Sequence, residues 1–264
     1  MESQDPSVAV LSPSSVLVTG ASRGLGLEFV RQLLQLPKPP QMLFATCRNP
    51  SDAQELRELA ALHSNVRILR LDVENIASIQ EAAVSVKEQL EGLGLNLLIN
   101  NAARIFLDTI HSESEENMHL LYQTHVVGSL KMGQTFLPLL KKAAQTGPQH
   151  SLSCSRAAII NISSTAGSIT ELFAWEYGHV LSYRCSKAAL NMLTRCQSLA
   201  LKEEGILCAA IHPGWVLTDM TACQPFEPPL KKEESVRGML KLFSTLSEEN
   251  SGGFYSWEGK ALSW

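Results

Sequence analysis

Along this chain, short apolar runs rich in β-branched residues alternate with longer stretches whose apolar positions recur at helical spacing. The short runs, at 16–19, 42–47, 66–71, 95–100, 157–162, 206–211 and 253–257, predict strands. The longer stretches, at 24–36, 52–63, 76–91, 115–144, 182–203 and 234–246, predict helices. The strands are apolar on both faces, as strands buried within a parallel sheet are. The stretches between them are long enough to cross over as helices. Repeated βα units of this kind predict an α/β fold, a doubly wound parallel sheet of about seven strands with helices on both faces.

Punctuation agrees with these boundaries. "LPKPP" (36–40) ends the first helix, because proline lacks an amide donor and restricts the residue before it. "QTGPQHSLSCS" (145–155) and "CQPFEPPL" (223–230) read as surface loops. No linker, repeat or low-complexity tract divides the chain. Residues 1–264 are expected to form one domain, with 1–14 a flexible N-terminal extension.

Composition then narrows the classes of function. With 264 residues, 45% of them hydrophobic and 18% charged, the chain can bury one continuous core. A net charge of −4 argues against a nucleic-acid partner, since no basic excess is available to track phosphates. No apolar run approaches the roughly 18 residues of a membrane span. The opening "MESQDPSVAVLSPSS" lacks the basic start of a secretory signal. Six cysteines (Cys47, Cys154, Cys185, Cys196, Cys208 and Cys223) show neither CxxC nor CxxxC spacing. They read as free thiols in a reducing compartment, with no metal site among them. "NIS" at Asn161 matches a glycosylation acceptor but closes a run expected to be a buried strand. A cytoplasmic protein is expected.

The first strand runs into "TGASRGLG", where Gly20, Gly24 and Gly26 crowd the turn before a helix. Strand, glycines and helix N-terminus together make an anion site, because unpaired N–H groups and the positive end of the helix dipole face the ligand. The Gly20-xxx-Gly24-x-Gly26 spacing is neither GxGxxG nor a P-loop. An ordinary glycine-rich strand–helix turn is the plainer alternative. After the second strand, where a carboxylate would bind unphosphorylated ribose hydroxyls, the chain has "FATCRNP" with no acid and with Arg48. Arg23 lies inside the glycine turn. Two cations at the adenosine ribose favour a 2′-phosphate, hence NADP over NAD.

A second cluster lies further on. "SYRCSKAAL" (182–190) puts Tyr183 and Lys187 four apart on one helical face. A nearby ammonium favours tyrosinate and is expected to lower the phenol pKa from ~10, making Tyr183 a usable acid and base. Upstream, "AIINISSTAG" places Ser163 and Ser164 at the C-terminal end of a buried strand, where doubly wound folds bind ligands. A hydroxyl there could hold a carbonyl oxygen as it gains charge, or merely cap the following turn.

"TGASRGLG" (19–26), "LDV" (71–73), "NNA" (100–102), "NISSTAG" (161–167), "YRCSK" (183–187) and "HPGWVLTDM" (212–220) follow one another across nearly the whole chain. Together they resemble the short-chain dehydrogenase/reductases, whose fold is Rossmann-type. "ATCRNP", "YRCSK", "HPGWV" and the ending "SGGFYSWEGKALSW" are most similar to the C-factor-like and sniffer-type carbonyl reductase branch. The resemblance implies that Gly20, Ser22, Arg23, Leu25 and Gly26 line the dinucleotide phosphates and adenosine ribose, with Arg48 at the 2′-phosphate. It implies Asp72 and Val73 at the adenine, Asn101 at the adenosine ribose, and Pro213, Gly214, Val216 and Thr218 at the nicotinamide. Tyr183 would be the general acid, Ser164 would orient the carbonyl, and Lys187 would bond the nicotinamide ribose and depress the Tyr183 pKa. A homodimer or homotetramer through the helices near 115–144 and 182–203 is likewise implied.

Three departures from the family pattern stand out. "NNAA" puts Ala103 where glycine is usual, and "TAGSITELFAWEYGHVLS" (165–182) is longer than is common and rich in aromatics. In "LLYQTHVVGSL" (120–130), His125 replaces an asparagine that supports the proton relay in the family. It could be neutral filler, a substitute shuttle or an impairment. Filler or impairment is favoured, so His125→Asn is expected to keep or raise turnover.

These readings lead to an NADPH-dependent oxidoreductase that reduces the carbonyl of a largely apolar aldehyde or ketone, reversibly. Phe106, Phe173, Trp175 and Trp215 are its candidate pocket walls, or else plain core. The competing class is a cofactor-binding signalling or scaffold protein of the same fold with weak or no turnover. A serine hydrolase is disfavoured, because the GxSxG elbow is missing.

Overall fold

Each of the seven apolar runs forms a strand: β1 (Ser15–Thr19), β2 (Met42–Cys47), β3 (Val66–Arg70), β4 (Leu97–Asn100), β5 (Ala158–Ile162), β6 (Leu207–His212) and β7 (Phe254–Ser256). The computed structural model describes residues 10–146, 151–222 and 227–264. All ladders are parallel, in the order β3-β2-β1-β4-β5-β6-β7. The helices are α1 (Gly24–Leu34), α2 (Gln54–Leu62), α3 (Ile76–Gln89), α4 (Glu115–Tyr122), α5 (Gly128–Ala144), α6 (Leu181–Ala200) and α7 (Lys232–Thr245).

Alternate side chains of each strand feed two separate cores. Val16 and Val18 pack with Phe29 of α1, Leu56 of α2 and Phe243 of α7. Leu17 points the other way, to Ile79 of α3 and Phe136 of α5. Both strand faces are therefore apolar, which is the pattern the sequence carried. Helix α6 joins the second face through polar contacts. Asn100 and Asn161 are neighbours in register, and Asn100 donates to Asn161 Oδ1 at 2.8 Å. The Asn161 amide donates in turn to Thr194 Oγ1 and Gln197 Oε1 at 2.8 and 2.9 Å. These bonds offset most of the desolvation cost of burying the two amides, though Asn100 Oδ1 has no partner among the described residues, and they fix how α6 lies on the sheet. A fully buried Asn161 held this way has no exposed amide to carry a glycan.

Strand order reverses between β1 and β4, the point at which doubly wound sheets open a crevice at their C-terminal edge. Thr19 and Asn101 cross-link the two strand ends there. Thr19 Oγ1 accepts from the amides of Asn101 and Ala102 at 2.9 and 3.0 Å, and Asn101 Nδ2 donates to the Thr19 carbonyl at 2.8 Å. The turn folds so closely on itself and on Asn101 that a Cβ on Gly26 would stand 2.1 Å from the Gly20 carbonyl oxygen and 2.7 Å from Asn101 Nδ2. Only glycine fits at that position. Ala103 brings no backbone strain, since its φ is not positive.

Two expectations need correction. The helix expected over 115–144 is interrupted by a π turn at Gln123–Val127. Within it the Thr124 hydroxyl lies 2.9 Å from the Leu120 carbonyl and 2.6 Å from Glu74 Oε1, a tertiary partner that ties the turn to the chain before α3. Residues 1–14 are not all an extension. Leu11 is buried in the first core, and the Ser14 carbonyl accepts from the amides of Gln41 and Met42. Residues 1–9, Cys223 and parts of the two expected surface loops (147–150 and 223–226) lie outside the described residues.

Candidate active site

A cavity of about 1590 Å³ opens at the C-terminal ends of β1, β4, β5 and β6. Every residue that the motifs nominated lines it, from Gly20 through Arg48, Asp72, Asn101, Ser164 and Tyr183 to Thr218. It exceeds the roughly 300–1,000 Å³ of an ordinary small-molecule pocket, as a site for a dinucleotide plus a substrate must.

One end is a cradle for an anion. Gly20 and Gly24 take positive φ (+67° and +56°), and Thr218 comes over the turn, its Cγ2 3.8 Å from where a Gly24 Cβ would be. The loop after β6 thus closes on the turn after β1, bringing together stretches nearly two hundred residues apart. Arg48 is exposed at the rim beyond β2. Arg23 is also exposed and pairs with Asp219 at 3.7 Å across the mouth, a contact invisible in the sequence. Such an exposed pair is weak, so Arg23 stays available to a phosphate. Asp72 Oδ1 accepts from the Glu74 amide at 3.0 Å, which holds that carboxylate at the cavity wall beside Val73. Asn101 has its amide nitrogen engaged with Thr19, leaving its oxygen for a ribose hydroxyl. Gly214 (φ +88°) lets the chain turn under Trp257, with Pro213 held by Ser235 at 2.5 Å.

The other end gathers Ser164, Tyr183 and Lys187. Ser163 turns inward and donates to Asn191 at 2.6 Å, whereas Ser164 lines the cavity, its Oγ accepting from the Ala166 amide at 3.1 Å. Lys187, fully buried, donates from Nζ to the Ile162 carbonyl at 2.7 Å and lies 5.5 Å from the Tyr183 ring centre. Burial pushes the Lys187 ammonium down to about 7. Burial likewise pushes the Tyr183 phenol up to about 12, with the Ser164 hydroxyl pulling it partly back. The expected lowering by Lys187 is therefore corrected for the protein alone. Desolvation of the phenolate wins, and a lysine itself half-neutral near pH 7 offers only part of a charge. Tyr183 consequently holds its proton at neutral pH, the state a general acid needs.

Aromatic residues form the remaining wall. Phe106, Phe173, Trp175 and Trp215 all line the cavity and none belongs to the buried core. Arg184, next to Tyr183, fixes the long 165–182 segment that supplies two of them. Its guanidinium donates to the carbonyls of His179 (2.8 Å) and Phe173 (3.0 Å) and stacks 5.4 Å over the Trp175 ring.

His125 sits in the π turn and is almost wholly buried. Its Nε2 accepts from the Arg104 amide at 3.1 Å, and its Nδ1 lies 2.8 Å from Ser186 Oγ. Because Ser186 donates its own proton to the Tyr183 carbonyl at 2.8 Å, Nδ1 must carry the hydrogen. Burial, and then the charges of Lys187 and Arg104, hold its pKa well below the ordinary value. The ring is a neutral brace between Arg104 and the second turn of α6, edge-on to Tyr183 at 5.6 Å. The shorter His125→Asn side chain cannot span both partners, so that variant should lose about 1–3 kcal/mol of stability without any gain in turnover. Denaturant unfolding and a pH–rate profile check this. An inflection near ~6.5 that vanishes in the variant would restore the shuttle.

Residues 14–226 match the short chain dehydrogenase family. An NADPH-bound carbonyl reductase from chicken fatty liver is 56% identical, with a TM-score of 0.92 over 96% of this chain and 100% of that one. The carbonyl reductase Sniffer of Drosophila melanogaster is 39% identical, with a TM-score of 0.90 over the same shares. An uncharacterised oxidoreductase of Schizosaccharomyces pombe is 33% identical over 93% of this chain and 96% of its own length. With its sheet order, its glycine cradle and its Ser164, Tyr183 and Lys187 cluster, the chain belongs to the short-chain dehydrogenase family of oxidoreductases.

Proposed function

We propose that this protein is an NADPH-dependent carbonyl reductase for largely apolar aldehydes or ketones, able to run in reverse as an alcohol dehydrogenase. One observation carries the reading: a single cavity joins a glycine cradle with Arg48 at its rim to Ser164, a protonated Tyr183 and Lys187. The cofactor is NADP(H), and the residues present fit it. A cradle that admits no Cβ at Gly26 suits a pyrophosphate, and exposed Arg23 and Arg48 suit a 2′-phosphate.

When bound, the nicotinamide supplies the hydride. The chain supplies the rest. The Ser164 hydroxyl and the Tyr183 phenol donate to the carbonyl oxygen as it gains negative charge, and Tyr183 Oη transfers its proton to that oxygen to complete the alcohol. Lys187, held by Ile162, brings a partial positive charge beside them and has further N–H donors for a ribose. The aromatic wall orients an apolar substrate and excludes water. Exposed thiols at Cys185 and Cys196 support a reducing, cytoplasmic setting, and exposed Met118, Tyr122, Met192 and Leu199 on α4 and α6 support a homo-oligomer. The net charge of −4 supports no nucleic-acid role.

Tyr183→Phe keeps the ring and removes the proton. Turnover should fall roughly 10²-fold or more with NADPH binding intact, read by steady-state rates and cofactor titration. A near-parental rate would sink the proposal. Arg48→Asp should weaken NADPH by about 1.5–3 kcal/mol and leave NADH no worse, measured by fluorescence titration of both cofactors. Equal affinity of the parent protein for the two would contradict the 2′-phosphate reading.

A further inference from the structure

Helix α6 carries Tyr183 at its third position, yet its own sequence does not cap it. The preceding residue, Val180, is β-branched and left-handed (φ +39°, ψ +52°), and it offers no side-chain oxygen to the first amides. A β-branched residue keeps such a conformation only where its surroundings enforce it. The acceptors come from the loop between β4 and α4. The Asp108 backbone carbonyl accepts from the Val180 amide at 3.1 Å, and Asp108 Oδ1 accepts from the Leu181 amide at 2.8 Å. These two bonds straddle the strained residue. Glu113 Oε2 accepts from the Ser182 amide at 3.0 Å, while its Oε1 accepts from the Ser114 amide at 2.8 Å.

Both acids sit where the helix dipole favours negative charge. Asp108 is buried, and among the described residues no donor reaches its Oδ2. The side chain beside it is Glu113, another carboxyl. We propose that Asp108 and Glu113 are positioning residues, a carboxyl pair that caps α6 from the loop between β4 and α4, shares a proton that gives Asp108 Oδ2 its donor, and thereby sets where Tyr183 stands. The inference rests on the reading of Tyr183 as the acid. The same loop carries Phe106, so the cap also ties a substrate wall to the catalytic helix.

Burial, then Glu113, raises Asp108 to about 6. Burial also pushes Glu113 upward, but its bonds with Ser182, Asp108 and the Ser114 amide outweigh this and hold it low. The elements packed around the pair carry Arg184 and Lys187 on α6, Glu176 and His179 before it, and Glu115, Glu116 and His119 on α4. The charge that bears on Asp108 is that of Glu113. A carboxyl at about 6 when folded, against ~3.9 unfolded, binds extra protons between those values. Its contribution to stability therefore falls as pH rises through that window, and the full penalty applies above it.

The test compares Asp108→Asn and Asp108→Ala in the full chain, by hydrogen exchange of 180–184, by kcat and KM with NADPH, and by Tm against pH. Asparagine keeps the Leu181 bond and gives Glu113 a permanent N–H donor. Its kcat should stay within about threefold of parental, and its Tm should gain on the parent as pH rises from ~4 to ~6. Alanine should speed exchange at 180–184 and lower kcat about tenfold each, with KM values within about twofold. An alanine variant with unchanged exchange and kcat, or an asparagine variant as damaged as alanine, would overturn the proposal. If alanine prevents folding, Tm–pH curves of the asparagine variant that run parallel to the parent's overturn it. Exchange is independent of chemistry, so a fully active Tyr183→Phe would refute the catalytic reading and leave the cap to be judged on exchange alone.

Discussion

The site depends on one buried bond, from Lys187 Nζ to the Ile162 carbonyl at 2.7 Å. An ammonium in a desolvated place is costly unless bonded, and here it bonds the last residue of β5. That contact fixes α6 against the strand end. Ser164 follows two residues after Ile162 and Tyr183 precedes Lys187 by one helical turn, so the same bond brings serine and tyrosine face to face. The Asn161, Thr194 and Gln197 hydrogen bonds below it repeat the attachment further along α6.

Around that bond, the start of α6 is held from several directions. His125 braces it through Ser186, Asp108 and Glu113 cap it, and Arg184 fastens the aromatic segment to it. The contacts come from the π turn, the loop between β4 and α4 and the aromatic segment, and each is a hydrogen bond that is at least partly buried. The Tyr183 phenol, kept protonated by burial, needs this support to act as the proposed acid, because desolvation alone would not orient it.

Much of this was legible in the sequence, for physical reasons. Buried parallel strands must be apolar on both faces, so β1 to β7 stand out as runs. The Gly20–Gly26 turn is legible because only glycine tolerates the close backbone approach, and Ser164, Tyr183 and Lys187 because a family motif carries them. What stayed hidden depends on partners distant in the chain. The π turn lies where Thr124 meets Glu74, fifty residues earlier in the chain. Asp108 caps a helix more than seventy residues away, and Leu11 is core only because the sheet receives it. The raised Tyr183 pKa is hidden too, because spacing reports the neighbouring lysine and not the burial of both groups.

The central claim is that the chain turns a carbonyl over with NADPH. It is tested most directly by following NADPH consumption across quinones, aromatic aldehydes and ketones, with NADH as control. The account predicts turnover of at least one apolar aromatic carbonyl, with NADH at least about tenfold poorer, as loss of a charge-assisted phosphate contact implies. Tight NADPH binding without consumption on any substrate would contradict it, and would leave a cofactor-binding scaffold in its place.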